Sequence, residues 1–382
     1  MLDVVFAVLE KTALIAPGDA TDARLDELSR DGFSAVALLV VPELVTRVAE
    51  KSGEEWVPVG LDSHGASREL FVHTEVTMGR RTTRICVAFR DGLRAAAERV
   101  RAHHLELDWW FEVAREPALA DLFPDLVASL QGHPAWRRRF PEAPEDDATH
   151  VIKCWPWLPA TSREGLVLHE AWICGALREL PKADLVFLND LQGGPSACGC
   201  GNVQCRWISD YGEKRSSTPA GETAAAELVR AVRRAGPEVV PIWTTECESP
   251  DVTPDGHCAG VPCFDGACWR EMWKQLDPVA QESPRLGVLL LSRTFERSGP
   301  DDRAGAAWIE PAIAALAAAD DRRAGPPIPA SRLLAVLEAA GRSPEIVAVE
   351  LAAAERSGVR GVVVSFTELD QSFSPRAVPD SR

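Results

Sequence analysis

"ADLVFLNDLQGG", residues 183–194, sets a short apolar run against an abrupt polar end. The run 184–189 reads as a strand that ends in Asn189-Asp190. Gly193-Gly194 then lets the backbone turn closely around whatever lies there. The same rhythm of apolar run, loop and helical stretch recurs along the chain. Strands are predicted at 3–9, 35–41, 69–76, 105–113, 150–155, 184–189, 239–244, 286–291 and 359–366. Apolar spacing of i, i+3, i+4 predicts helices at about 21–31, 42–51, 91–102, 163–180, 219–235, 265–276, 305–319, 330–340 and 343–356. The helix at 219 is well punctuated, with Thr218 as N-cap, Pro219 at the first helical position and Gly236 beyond its end.

Strands alternating with helices imply a mostly parallel sheet with helices on its faces. Eight or nine strands in 382 residues favour an α/β, (βα)8 TIM-barrel-like fold over an open sheet. The expected organisation is one barrel domain, 1–382, with insertions about 50–90 and 113–150 and a hairpin around 69–89. Two long loops, 191–218 and 246–268, carry a cysteine-rich cluster.

With 46% hydrophobic and 26% charged residues the chain can bury a large core. A formal charge of −16 argues against a nucleic-acid partner, because a phosphate-binding surface needs a basic patch. No membrane span is expected: the longest apolar run, 34–45, is short and holds Pro42 and Glu43. The N-terminus lacks a positive region and meets Asp3, Glu10 and Lys11, which suggests a cytoplasmic protein with reduced thiols. A trimmed mature form would instead be extracellular or periplasmic and carry disulfides. P-loop, G-x-G-x-x-G, G-x-S-x-G and H-E-x-x-H patterns are missing, so nucleotide, serine-hydrolase and zincin chemistries find no support.

In a barrel the ligand site lies at the carboxyl ends of the strands. Asp190 stands at one such end and Glu246 at the end of the next predicted strand, a candidate carboxylate pair for acid/base or nucleophilic work. The competing reading makes Asp190 a turn cap and Glu246 the neutraliser of an arginine. Twelve Trp accompany a single Tyr. Trp109, Trp155, Trp157 and Trp243 fall in or near strand ends, where indole faces suit stacking on sugar rings or other flat ligands. With Asn189, Arg293 and Glu368 they form the expected substrate-binding set.

"LDWWFEV" (107–113), then "HPAWRRRFP" (133–141), a long helix, and "ADLVFLND" (183–190) resemble the layout of glycoside-hydrolase-like barrel proteins. In that family a W-x-F strand leads to an H-P-x-W segment, and a later strand ends in a catalytic-site aspartate, which Asp190 would match. The resemblance spans roughly 85 residues and implies a sugar-cleaving barrel. It departs after the aspartate, where Leu191-Gln192-Gly193-Gly194 stands in place of the family's Tyr and Arg-Tyr-Pro.

Of ten cysteines, Cys86, Cys154 and Cys174 occur singly within strand or helix patterns and read as inert buried thiols. The other seven, Cys198, Cys200, Cys205, Cys247, Cys258, Cys263 and Cys268, fall with His257 in the two loops that follow the strands ending at Asp190 and near Glu246. They are candidate metal ligands, zinc foremost, although the spacing is not the C-x2-C knuckle. An iron–sulfur cluster and a set of disulfides are the alternatives. Cys268 is expected in a first helical turn, where the helix dipole favours a thiolate. The combined expectation is a hydrolase acting on a carbohydrate or similar polar small molecule, with a structural zinc or disulfide rim. The alternative is a metal-binding or redox protein whose cysteine cluster is itself the functional site.

Overall fold

The computed structural model describes residues 9–52, 55–58, 70–78, 80–127, 152–158, 160, 163–191, 219–244, 277–290, 303–318, 326–369 and 374–377. Eight parallel strands close into a barrel. They are β1 (Glu10–Ile15), β2 (Ala35–Val40), β7 (Glu106–Glu112), β9 (Leu185–Asn189), β10 (Glu238–Thr244), β11 (Leu286–Leu289), β12 (Leu333–Glu338) and β13 (Gly361–Ser365). Their order around the barrel is the order of the chain, and β13 pairs back onto β1. Helices α1 (Asp22–Arg30), α2 (Leu93–Ala102), α4 (Arg163–Glu179), α5 (Pro219–Arg234), α6 (Arg303–Ala317) and α7 (Pro344–Arg356) alternate with the strands, as does the helical stretch 277–282. The short α3 (Pro117–Leu122) follows β7. The expected (βα)8 barrel is therefore the fold.

Local chemistry starts and stops these helices. Thr21 caps α1 by accepting the Arg24 amide, and Ser343 caps α7 by accepting that of Ile346 with Pro344 behind it. Side chains alternate across each strand. On β7, Leu107, Trp109 and Phe111 join the large core between barrel and helices, whereas Trp110 joins the lumen with Leu14, Ala37, Phe187, Val240, Ile242, Leu289, Val336 and Val363. Below this lumen, Arg285 ties the N-terminal ends of two strands through Glu10 at 3.2 Å and Glu238 at 2.9 Å. At Gly361 the strands crowd: a β-carbon there would lie 2.7 Å from the Glu10 carbonyl oxygen. Among the described residues no helix is long and apolar enough to cross a membrane.

The insertion after β2 is an antiparallel sheet in the order β4 (Glu55–Pro58), β3 (Pro42–Ser52), β6 (Arg81–Phe89), β5 (Phe71–Met78). The predicted hairpin is β5–β6. The helix predicted at 42–51 is a strand, and two register shifts in the β3–β6 pairing explain the misreading. They bring Pro42, Val45 and Ala49 to the buried face at spacings of three and four, the signature of a helix. The helix predicted at 330–340 is also a strand, β12. All six of its residues are buried, and a continuous apolar run on a strand covered on both faces has the same sequence signature as a buried helix. The first barrel strand is Glu10–Ile15, and the strand predicted at 3–9 lies, for residues 3–8, outside the described residues, as does the helix predicted at 265–276. The segments predicted as strands at 69–76 and 150–155 do form strands, outside the barrel. The second is β8 (Ile152–Trp155), which pairs antiparallel with β14 (Ser374–Ala377).

Candidate active site

Strand β7 presents Asp108, Trp110 and Glu112 to the lumen in ascending order, and β9 presents Phe187 and Asn189 beside them. Trp110 and Phe187 stack at 5.5 Å between ring centres and floor the upper end of the barrel. Above that floor the Glu112 carboxylate is held from two sides. It accepts the Trp110 indole N–H at 2.6 Å on Oε1 and the Asn189 amide N–H at 2.9 Å on Oε2. The Val113 amide donates to the Asn189 carbonyl at 3.0 Å and locks the two strand ends together.

Asp190, one residue past β9, has φ 58°, a left-handed conformation that a short polar side chain tolerates better than most. Its carboxyl is buried and hydrogen-bonds that of Glu112. Burial, the Asp190 charge and this hydrogen bond together hold the Glu112 proton well above the usual carboxylate range, against the opposing donors Trp110 and Asn189.

A third carboxyl completes the group. Glu116 is fully buried at the N-cap position of α3, yet it makes no capping bond, and neither of its oxygens has a hydrogen-bond partner among the described residues. Burial and the nearby charge of Glu112 push its carboxyl up, against the Arg115 guanidinium. Its loop is braced from β8 and the residues after it: the Glu116 amide donates to the Pro156 carbonyl, that of Leu158 to the Ala114 carbonyl, and Arg115 bridges Trp157. Across the mouth, buried Glu338 at the end of β12 accepts the Leu369 amide at 3.1 Å. Deeper in the lumen Asp108 accepts the Leu185 amide at 2.9 Å, and burial pushes its carboxyl up to about 8.

Of the residues singled out in the sequence, Asp190 and Asn189 meet at this mouth. Trp109 and Trp243 are fully buried between barrel and helices, Trp109 donating to the Pro181 carbonyl. Trp157 is fully buried beside Arg115, and Trp155 is half-buried, donating to Asp121. Glu368 is exposed in the segment after β13. Glu246, Arg293, His257, Cys198, Cys200, Cys205, Cys247, Cys258, Cys263 and Cys268 lie outside the described residues. Cys86 and Cys174 are free thiols that burial pushes up. Among the described residues no three His, Cys, Asp or Glu side chains are grouped to hold a metal ion. Glu112, Glu116 and Glu338 escape a reading of isolated strand ends. The signal that finds Glu112 is the alternation Asp108-x-Trp110-x-Glu112, which carries the inward face of β7 to its last residue.

No family model matches the chain, and no curated protein matches its sequence. Its neighbours among solved structures are glycoside hydrolases. A GH18 chitinase from Pseudoalteromonas aurantia is 11% identical over 94% of this chain and 94% of its own, with a TM-score of 0.39. The GH36 α-galactosidase AgaA from Geobacillus stearothermophilus is 11% identical over 96% of this chain, which spans 40% of its length, with a TM-score of 0.42. The tandem GH20 modules of the pneumococcal exo-β-D-N-acetylglucosaminidase StrH give 11% identity over 96% of this chain and 81% of theirs, with a TM-score of 0.42. Similarity of this depth leaves the reaction to be argued from the site's own chemistry.

Proposed function

We propose that the chain is a hydrolase of the glycoside-hydrolase type, acting on a carbohydrate or similar polar substrate at the C-terminal mouth of the barrel. The observation that carries this reading is the carboxyl pair of partly buried Glu112 and buried Asp190, in contact where barrel enzymes place their chemistry. Cleaving a glycosidic bond needs a carboxyl that still holds its proton at neutral pH, to protonate the leaving oxygen. It also needs a carboxylate facing the positive charge that builds on the sugar. Glu112, the member of the group that keeps some exposure, serves as the acid. Asp190 supplies the neighbouring negative charge, and Asn189 orients the acid through its amide. Glu246, which follows β10 in sequence, is the candidate for a further carboxylate on the substrate side.

The loops 191–218 and 246–268 belong to the same proposal as a rim pinned by zinc or by disulfides. In support, β9 and β10 pair in parallel, so both loops set out from one end of adjacent strands. Metal analysis with thiol counting on the denatured protein tests the rim: one tightly held zinc or paired sulfurs fit it, and a coloured iron centre contradicts it. The function is tested by screening the whole protein against aryl glycosides and oligosaccharides, followed by E112Q and D190N. Loss of about 10²–10⁴ in kcat for E112Q, with the fold retained, is the expected result for an acid. Full activity in E112Q, or no cleavage of any glycoside by the unmodified protein, refutes it.

A further inference from the structure

Two cross-strand pairs meet on the inward face of β7 and β9. Trp110 stands opposite Phe187, and two residues higher Glu112 stands opposite Asn189. Residues two apart on a strand share a face, so the Trp110 indole lies beneath the Glu112 carboxyl. The indole is fully buried and stacked on Phe187 at 5.5 Å, and its N–H reaches Glu112 Oε1 at 2.6 Å. The Asn189 amide N–H reaches Oε2 at 2.9 Å. Glu112 itself keeps some exposure at the strand end, whereas both groups that hold it are buried.

The two holders differ in kind. An indole N–H only donates, and a ring stacked in the lumen cannot turn to offer anything else. The side-chain amide of Asn189 can rotate and present its oxygen in place of its nitrogen. Oε1 is therefore the oxygen that always accepts, and a proton on Glu112 belongs on Oε2, where the amide can turn to receive it. We propose that Trp110 is the positioning residue of this site: it fixes the plane of the Glu112 carboxyl, keeps Oε1 as an acceptor and leaves Oε2 to carry the proton. This role rests on Glu112 being the acid of the proposed hydrolase, and Trp110 acts through Glu112 alone. The titratable groups around Glu112 are Asp190 at the end of β9 and Glu116 at the start of α3, with Arg115 beside Glu116.

Nitrogen–proton NMR of the whole protein tests the role, with the Trp110 indole assigned through its contacts with the Phe187 ring. Its N–H resonance should follow the carbon-13 titration of Glu112 with the same midpoint. It should stay hydrogen-bonded on both sides of that midpoint and lose this pH dependence in E112Q. W110F keeps a ring for the Phe187 stack and removes the N–H. Because the indole favours the charged carboxylate, W110F should raise the Glu112 midpoint by about one unit or more. On a glycoside that the protein cleaves, W110F should lower kcat about tenfold to a hundredfold with KM nearly unchanged. The basic limb of its pH profile should move up with the midpoint, which a merely structural loss would not do. An indole resonance that ignores the Glu112 titration or breaks its bond in acid overturns the proposal. So does an unchanged Glu112 midpoint in folded W110F, or a lower kcat with an unmoved pH profile. If W110F does not fold, the indole resonance in the unmodified protein and in E112Q decides alone. An indole that passes these tests in a protein that cleaves no glycoside upholds the hold of Trp110 on Glu112 and refutes the hydrolase. Cleavage by a protein whose W110F keeps both midpoint and kcat does the reverse.

Discussion

Replacing Asp108 by asparagine (D108N) should stabilise the protein at alkaline pH and leave it nearly unchanged in acid. Asp108 lies in the lumen, fully buried, with one oxygen accepting the Leu185 amide at 2.9 Å and the other without a partner among the described residues. Burial is the main cause that raises its carboxyl from 3.8 to about 8, with the charges of Asp184 and Glu106 adding to it. The folded state therefore keeps a proton that the unfolded chain releases from about pH 4 upward. Stability present at low pH is lost progressively as pH rises towards 8. Each pH unit in that window is worth about 1.4 kcal/mol, so the ionisable side chain costs on the order of 5 kcal/mol by pH 8. The side-chain amide in D108N would retain an oxygen for the Leu185 amide and has nothing to ionise. Urea unfolding of both proteins, followed by tryptophan fluorescence at pH 5, 7 and 9, isolates this contribution, because every other titrating group cancels in the difference. The difference in unfolding free energy should grow by several kcal/mol in favour of D108N from pH 5 to 9. A difference constant within about 0.5 kcal/mol across that range refutes the assignment of a buried, protonated Asp108.

Buried His169 donates from Nε2 to the Leu158 carbonyl and accepts the Trp172 indole N–H on Nδ1, and burial lowers its pKa from 6.5 to about 4. It should appear in nitrogen NMR as the neutral Nε2–H tautomer at pH 5.5, and stability should fall by about 3 kcal/mol as pH drops from 6.5 to 4. An imidazolium signal at pH 5.5 would contradict this. His103 joins α1 to α2 through Asp22 at 3.1 Å and Asp26 at 3.0 Å, and the Asp22 hydrogen bond is the main cause that raises its pKa. Its contribution is present in acid and lost as pH rises through the raised value, so H103Q should lower Tm more at pH 5 than at pH 8.5, and equal losses would refute the clamp. G361A should destabilise by about 1–3 kcal/mol, because its β-carbon would press on Glu10, and an unchanged Tm would show that β1 gives way freely.

The architecture was legible wherever local pattern and tertiary role agree. β9 and β10 announced themselves as apolar runs with polar ends, and α5 by the proline at its start. β3 and β12 did not, for opposite reasons: bulges gave one strand helical spacing, and burial on both faces removed alternation from the other. At the site, Asp190 was legible because it ends a strand before a glycine pair. Glu112 was hidden inside "LDWWFEV", where two indoles drew the eye and only closure of the barrel separates Trp109, facing the helices, from Trp110, facing the lumen. Glu116 has no sequence signature, since its significance is burial without a partner among the described residues, which only the packed loop creates.

The most direct measurement is a carbon-13 titration of the Glu112 carboxyl in the intact protein and in D190N. Glu112 should titrate well above its ordinary 4.5, and D190N should move its titration downward by removing the neighbouring charge and hydrogen bond. A Glu112 carboxyl that titrates near 4.5 and ignores the loss of Asp190 would contradict the raised Glu112 acid on which the proposed chemistry rests.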